Sequence, residues 1–257
     1  MPASTKTTHR GTTLTFTEKD HRYTDCGGQE YTSATTFIGR YFEKFDPDAT
    51  AARMVKEGKS ASEKALEASW EAERDHACRY GTRCHEIAES VLQGLELPHS
   101  PESEKEKAAF ASIWDYCSKT ILPNAETLEC EKMVFAHSWG IAGTVDLLLQ
   151  RPNGDFWILD WKTNKRIRRE GFQGRTAKVP VEHLPDCEMT KYSLQLNLYE
   201  RILRREDYLP QGAKVDRGLL YVNPDTHEGV KYIEIPLMQS SISLMLIDHL
   251  ENRGLPF

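Results

Sequence analysis

The stretch GTVDLLLQRPNGDFWILDWKTNK, from Gly143 to Lys165, limits the possible folds of this 257-residue chain more than any other part. Two apolar runs flank Pro152-Asn153-Gly154, a turn signal that favours a hairpin. Each run carries one aspartate, Asp146 and Asp160, and Lys162 follows two residues after the second. Apolar strands are normally buried, and a buried charge is costly unless it is paired or holds a metal. Residues two apart on a strand share a face, so Asp160 and Lys162 project together from the end of FWILDWK. Asp146 stands on the neighbouring strand, with Val145 and Leu147 expected to point the other way. If the hairpin pairs, both carboxylates and the ammonium converge. Hard oxygen donors of this kind suit Mg²⁺ or Mn²⁺, which take one or two carboxylates together with waters and substrate phosphate. A lysine beside such an ion can orient or activate a water, or stabilise charge on phosphate. The competing arrangement is a strand-end Asp160–Lys162 ion pair with Asp146 beginning a turn. An aspartate in each of two apolar strands argues against it.

The remaining elements follow from local pattern. TLTFTEKDHRYTDCGGQEYTS reads as short alternating strands turned at Gly27-Gly28, and Ser33 is placed to cap a helix through ATTFIGRYF. Ser60 to Leu92 is helical and Glu/Ala-rich, with a break expected around Gly81, and a second helix runs from Glu102 to about Ile121. ETLECEKMVFAHS, GIAGTVDLLLQ and DFWILDWK are three successive strands. After a polar, basic segment from Thr163 to Met189, TKYSLQLNLYERILRRE reads as an amphipathic helix with Leu194, Leu198 and Ile202 on one face. RGLLYVN and VKYIEIPL are further strands, and SSISLMLIDHLENR a closing helix. This order predicts an α/β fold with a central mixed sheet flanked by helices and a largely helical N-terminal part. The expected division is 1–80, strands and helices, and 81–257, the catalytic core, within one continuous globular unit.

Two helical blocks join the hairpin. YGTRCHEIAE places Gly81, His85 and Glu89 four residues apart on one helical face, and LQLNLY does the same for Gln195 and Tyr199. Gly81 would let its helix approach the strands closely. Asp146, thirteen residues, then Asp160-Trp161-Lys162, preceded by G-x-x-x-H-x-x-x-E and followed by Q-x-x-x-Y, resembles the RecB-like branch of the PD-(D/E)XK nucleases. That branch includes stand-alone phage exonucleases and the mitochondrial genome-maintenance exonuclease. The resemblance spans Gly81 to Tyr199 and implies a restriction-endonuclease-like core. It implies that His85, Asp146, Asp160 and the Trp161 main-chain carbonyl hold the metal, while Lys162 positions or activates the attacking water. By the same resemblance Gln195 and Tyr199 brace the substrate or the lysine. Glu89 is expected to support the His85 helix. Glu131, inside LECEKMVF, is an acid with two open readings, an outer metal partner or a solvated strand edge.

A net charge of -6 argues mildly against a nucleic-acid partner, but local patches set such contacts. Lys165, Arg166, Arg168, Arg169 and Arg175 follow the catalytic strand, opposed in sequence only by Glu170. A basic loop here is placed to track a phosphate backbone, and Phe172 within it offers a ring to a base. His76, Cys78, Cys84 and His85 lack zinc-site spacing, so zinc is not expected. No cysteine follows Cys187, so the C-terminal cysteine group of an iron–sulfur cluster is not expected either. Six scattered cysteines fit a reducing compartment. No apolar run approaches the roughly 20 residues that span a bilayer, so no membrane partner is expected. MPASTKTTHRGTT is Thr-rich and acid-free like a transit peptide, but it lacks Arg-rich amphipathicity and reads as a disordered leader.

The resulting expectation is a stand-alone, metal-dependent exonuclease acting on DNA ends, with single strands preferred, in recombination, repair or replication. Its expected setting is the cytoplasm of a bacterial or phage-infected cell, the mitochondrion being the other compartment, with an oligomer or a recombination protein as partner. A structure-specific or restriction-like endonuclease would use the same chemistry. A non-catalytic DNA-binding scaffold would have no need of the costly Asp146–Asp160–Lys162 cluster.

Overall fold

Arg10 and Gly11 both take positive φ, 48° and 79°, the backbone of a two-residue turn whose twist suits a hairpin. They join β1 (Ser4–His9) to β2 (Thr12–Thr17). The stretch expected to be a disordered leader is therefore an edge strand from Ser4 onward. Its threonines, Thr5, Thr7 and Thr8, are β-branched and favour extended backbone. The computed structural model describes residues 4–254 except 61 and 227, so Met1–Ala3 of that leader lie outside the described residues.

β3 (Arg22–Asp25) and β4 (Glu30–Ser33) continue the antiparallel run. Ser33 then caps α1 (Ala34–Gly39), its Oγ accepting from the Thr36 N–H at 3.1 Å. α2 (Pro47–Lys56), capped by Asp46, leads to α3 (Glu63–Gln93). The expected break at Gly81 does not occur. One glycine costs a helix about 1 kcal/mol, and burial of Tyr80, Cys84, Ile87, Ala88 and Val91 around it outweighs that. α3 thus runs without interruption across position 80, and strands from both sides of that position share one sheet.

α4 (Glu104–Tyr116) precedes the three central strands, β5 (Thr127–Ala136), β6 (Ile141–Gln150) and β7 (Phe156–Lys162). Then come α5 (Glu188–Arg205), β8 (Val215–Val222), β9 (Val230–Glu234) and α6 (Gln239–Glu251). The nine strands form one mixed sheet, parallel at β4–β6 and β7–β8 and antiparallel elsewhere. Among the described residues no helix is long and apolar enough to cross a membrane.

Two cores lie on the sheet's two faces. α3 and α4 cover Leu147, Leu149, Leu159 and Trp161, while α1, α5 and α6 cover Val145, Leu148, Ile158 and Leu219. α5 is not the one-faced amphipathic helix its leucines predict. Ser193, Asn197 and Glu200 are buried along with Leu194, Leu198 and Ile202, because α1 and α6 pack on it as well as the sheet. Its buried polar groups are satisfied: the Asn197 amide donates to the carbonyls of Ser193 and Pro236, and Glu200 pairs with Arg204 and Arg217.

Candidate active site

The site forms where the sheet forks. β5 pairs with β6 along its length, but on the other side β7 reaches only Leu147–Gln150 and β4 only Ile141–Ala142. Gly143 to Asp146 therefore have no partner strand on that side. Val145 and Leu147, expected to point together away from Asp146, lie in opposite cores. The alternation slips at Asp146 because Glu131, opposite it in register, takes φ 47° and drops out of the ladder. Positive φ is uncommon for a residue with a side chain. Here it brings the Glu131 and Asp146 carboxylates together beside His85.

At the fork the Asp146 Oδ2 accepts the Trp161 N–H at 2.9 Å and lies 3.4 Å from His85 Nδ1. The other ring nitrogen, Nε2, is 3.2 Å from the Trp161 carbonyl oxygen. His85 thus joins α3 to both strands. One ligand atom each from His85, Glu131 and Asp146 lie within 4.8 Å of one another. His85 and Glu131 line a cleft of about 670 Å³ between α3 and the N-terminal strands, which Glu89 also lines. Glu131 reaches water through the cleft, yet protein crowds it. That burial, then Asp146, Glu89 and Asp160, push its carboxyl up, to about 8.

Asp160 stands outside this trio. It is 1% exposed, and its Oδ2 is ion-paired with the Lys162 ammonium. Burial raises the Asp160 carboxyl, Lys162 opposes the rise and Asp146 adds to it. Burial alone would lower the Lys162 ammonium, but Asp160 and Asp146 outweigh it and hold the group above its usual value. Lys162 also sits 4.7 Å from the centre of the Tyr192 ring. Tyr192 was legible only as a residue three positions before Gln195, on the same face of α5.

Gln195 is half-buried and donates to the Tyr199 hydroxyl at 3.1 Å. Tyr199 itself is 3% exposed, packed over Gly143 in the α5-side core. A ring so enclosed braces the fork and has no open face for a substrate. Gly81 makes the close approach its position suggests: a Cβ there would meet Thr163 Oγ1, just beyond β7, at 3.0 Å.

The basic segment differs from its sequence reading. Lys165 pairs with Glu73 at 2.8 Å, Arg168 with Glu188 at 2.7 Å and Arg175 with Glu43 at 3.4 Å. Its charge is opposed by acids from α3, α5 and the chain between α1 and α2, which local counting cannot see. Arg166 and Arg169 remain exposed, and neither makes an ion pair among the described residues.

The sequence profile of the PD-(D/E)XK nuclease superfamily matches residues 61–240 of the chain. Among solved structures, one described as "Crystal structure of SSO0001" matches at 16% identity over 65% of this chain and 84% of its own. The TM-score of that match is 0.28. No curated protein matches the sequence.

Proposed function

The chain belongs to the PD-(D/E)XK nuclease superfamily, and on that premise we propose that it is a metal-dependent exonuclease. It hydrolyses phosphodiester bonds from DNA ends, preferring single strands, and serves recombination, repair or replication. The observation that carries the reading is the meeting of His85, Glu131, Asp146 and the Trp161 carbonyl at the fork, with the buried Asp160–Lys162 pair beside them.

These groups fit a divalent cation. The donors are hard oxygens with one imidazole, and ligand atoms of His85, Glu131 and Asp146 lie within 4.8 Å of one another. Asp146, Asp160, His85 and the Trp161 carbonyl, joined by Glu131, would hold Mg²⁺ or Mn²⁺. When bound, such an ion offsets negative charge on the phosphate and lowers the pKa of a water. Lys162, kept protonated by Asp160 and Asp146, offers N–H donors that orient the attacking water or neutralise the phosphate oxygens. The Tyr192 ring restricts where that ammonium can move. Gln195 and Tyr199 hold the fork's geometry, and Arg166 and Arg169 meet the phosphates beyond the scissile bond. Attack on phosphorus forms one P–O bond as the bond to the leaving sugar oxygen breaks in line.

The test is digestion of end-labelled linear single- and double-stranded DNA beside a covalently closed circle, with Mg²⁺, Mn²⁺ or EDTA. Asp160→Ala and Lys162→Ala proteins run in parallel. Metal-dependent loss of linear DNA alone, abolished by both substitutions, is the expected result. Cutting of the circle would replace exonuclease by endonuclease action. Equal inertness of wild type and variants would refute the catalytic reading.

A further inference from the structure

Lys162 lies against Tyr192, and the next residue back along α5, Lys191, lines a separate groove of about 510 Å³. One wall is α2 and the chain before it, with Phe45 and Arg53; the other is the basic segment, with Arg168, Phe172 and Arg175. Phe45 is 68% exposed and Phe172 52% exposed. Two bare phenyl rings facing one groove are unusual on a soluble surface and point to a ligand with an apolar face.

The charges narrow its chemistry. Each acid lining the groove is ion-paired with a lysine or arginine that also lines it. Arg53 lines the groove without an ion pair among the described residues, its charge felt by Glu57 one turn on, and Arg169 adds a second such cation next to the groove's Arg168. Such a lining suits a ligand with an apolar face and an anionic edge. The Arg175 guanidinium lies 5.9 Å from the Phe172 ring centre, and Phe45 rests edge-on against Trp70 at 5.6 Å. Arg175 covers one face of Phe172 and Trp70 packs against Phe45, so both rings are held in place while much of each stays exposed.

We propose that this groove is a base-stacking subsite for unpaired nucleotides of a single-stranded nucleic acid, with Phe45 and Phe172 as the stacking platforms. Bases in a duplex are already stacked on one another, so the rings favour single strands. The proposal rests on the reading of DNA as substrate and adds where its unpaired bases bind.

Fluorescence anisotropy of labelled oligothymidine and of a duplex of equal length, both in EDTA, reads binding without hydrolysis. Phe45→Ala and Phe172→Ala should each weaken single-strand binding about tenfold, with duplex binding changed less than roughly threefold. Thermal melts accompany the variants. Phe172→Trp should keep the affinity and show quenched tryptophan emission as oligothymidine is added. Unchanged affinity in the double alanine variant, or equal weakening on single strand and duplex, would overturn the proposal. A wild type inert with either metal would sink the nuclease reading, while the phenylalanine effect in EDTA would still establish the groove.

Discussion

Replacing Glu131 by glutamine removes a charge at the fork while keeping the side chain's volume. The Glu131 carboxyl is raised from 4.5 to about 8, by burial first and then by Asp146, Glu89 and Asp160. An acid whose folded pKa lies above its unfolded value contributes stability at low pH that is lost as pH rises through the folded value. Undiminished, a shift of that size corresponds to about 5 kcal/mol at about 1.4 kcal/mol per unit. Glu131 opens into the cleft, however, and water screens it, so about 1–2 kcal/mol is the figure to expect. For a chain of this length each kcal/mol moves the melting temperature by about 2–4 °C. In EDTA at about pH 8.5, Glu131→Gln should therefore melt about 2–8 °C above wild type, and the difference should close near pH 5. Saturating Mg²⁺ or Mn²⁺ should reverse the order, because an ion held in part by the ionised Glu131 carboxylate stabilises the wild type more than the glutamine variant. Differential scanning calorimetry at the two pH values, with and without metal, makes the measurement. A glutamine variant whose melting difference is flat across pH, or that melts lower than wild type in EDTA at high pH, would refute the claim that these acids are held together against repulsion.

Gly143→Ala tests the brace beneath the fork. Its Cβ would lie 2.6 Å from Tyr199 Cε1, an overlap that should cost about 1–3 kcal/mol in a packed core. Tyr199→Leu in the same chain should recover part of the loss, and full additivity of the two changes would show that the ring does not pin β6. Arg166→Ala with Arg169→Ala should weaken DNA binding on every sequence and lower the slope of log K against log salt by about 1–2. An unchanged slope would place these two guanidinium groups away from the phosphates.

Much of this protein is set by local spacing. Alternation and the Asn-Gly turn place the Asp146 and Asp160 strands, Ser33 caps α1, and four-residue spacing puts His85 and Gln195 on the faces of their helices. These signals need only a few neighbouring residues, so they survive in the bare sequence. Other features depend on residues far apart in the chain. Gly81 stays helical because buried neighbours outweigh its propensity, and α5 is buried on nearly all sides because α1 and α6 also cover it. Glu73, Glu188 and Glu43 reach the basic segment from three separate places. Glu131 illustrates the division most clearly. As a sequence letter it is one acid in an alternating strand, open to solvent or to metal. Its positive φ, its place opposite Asp146 and its distance from His85 exist only once the forked sheet and α3 have closed around it. Sequence supplied the donors, and long-range packing decided which of them meet at one site, since electrostatic coupling depends on distance through space.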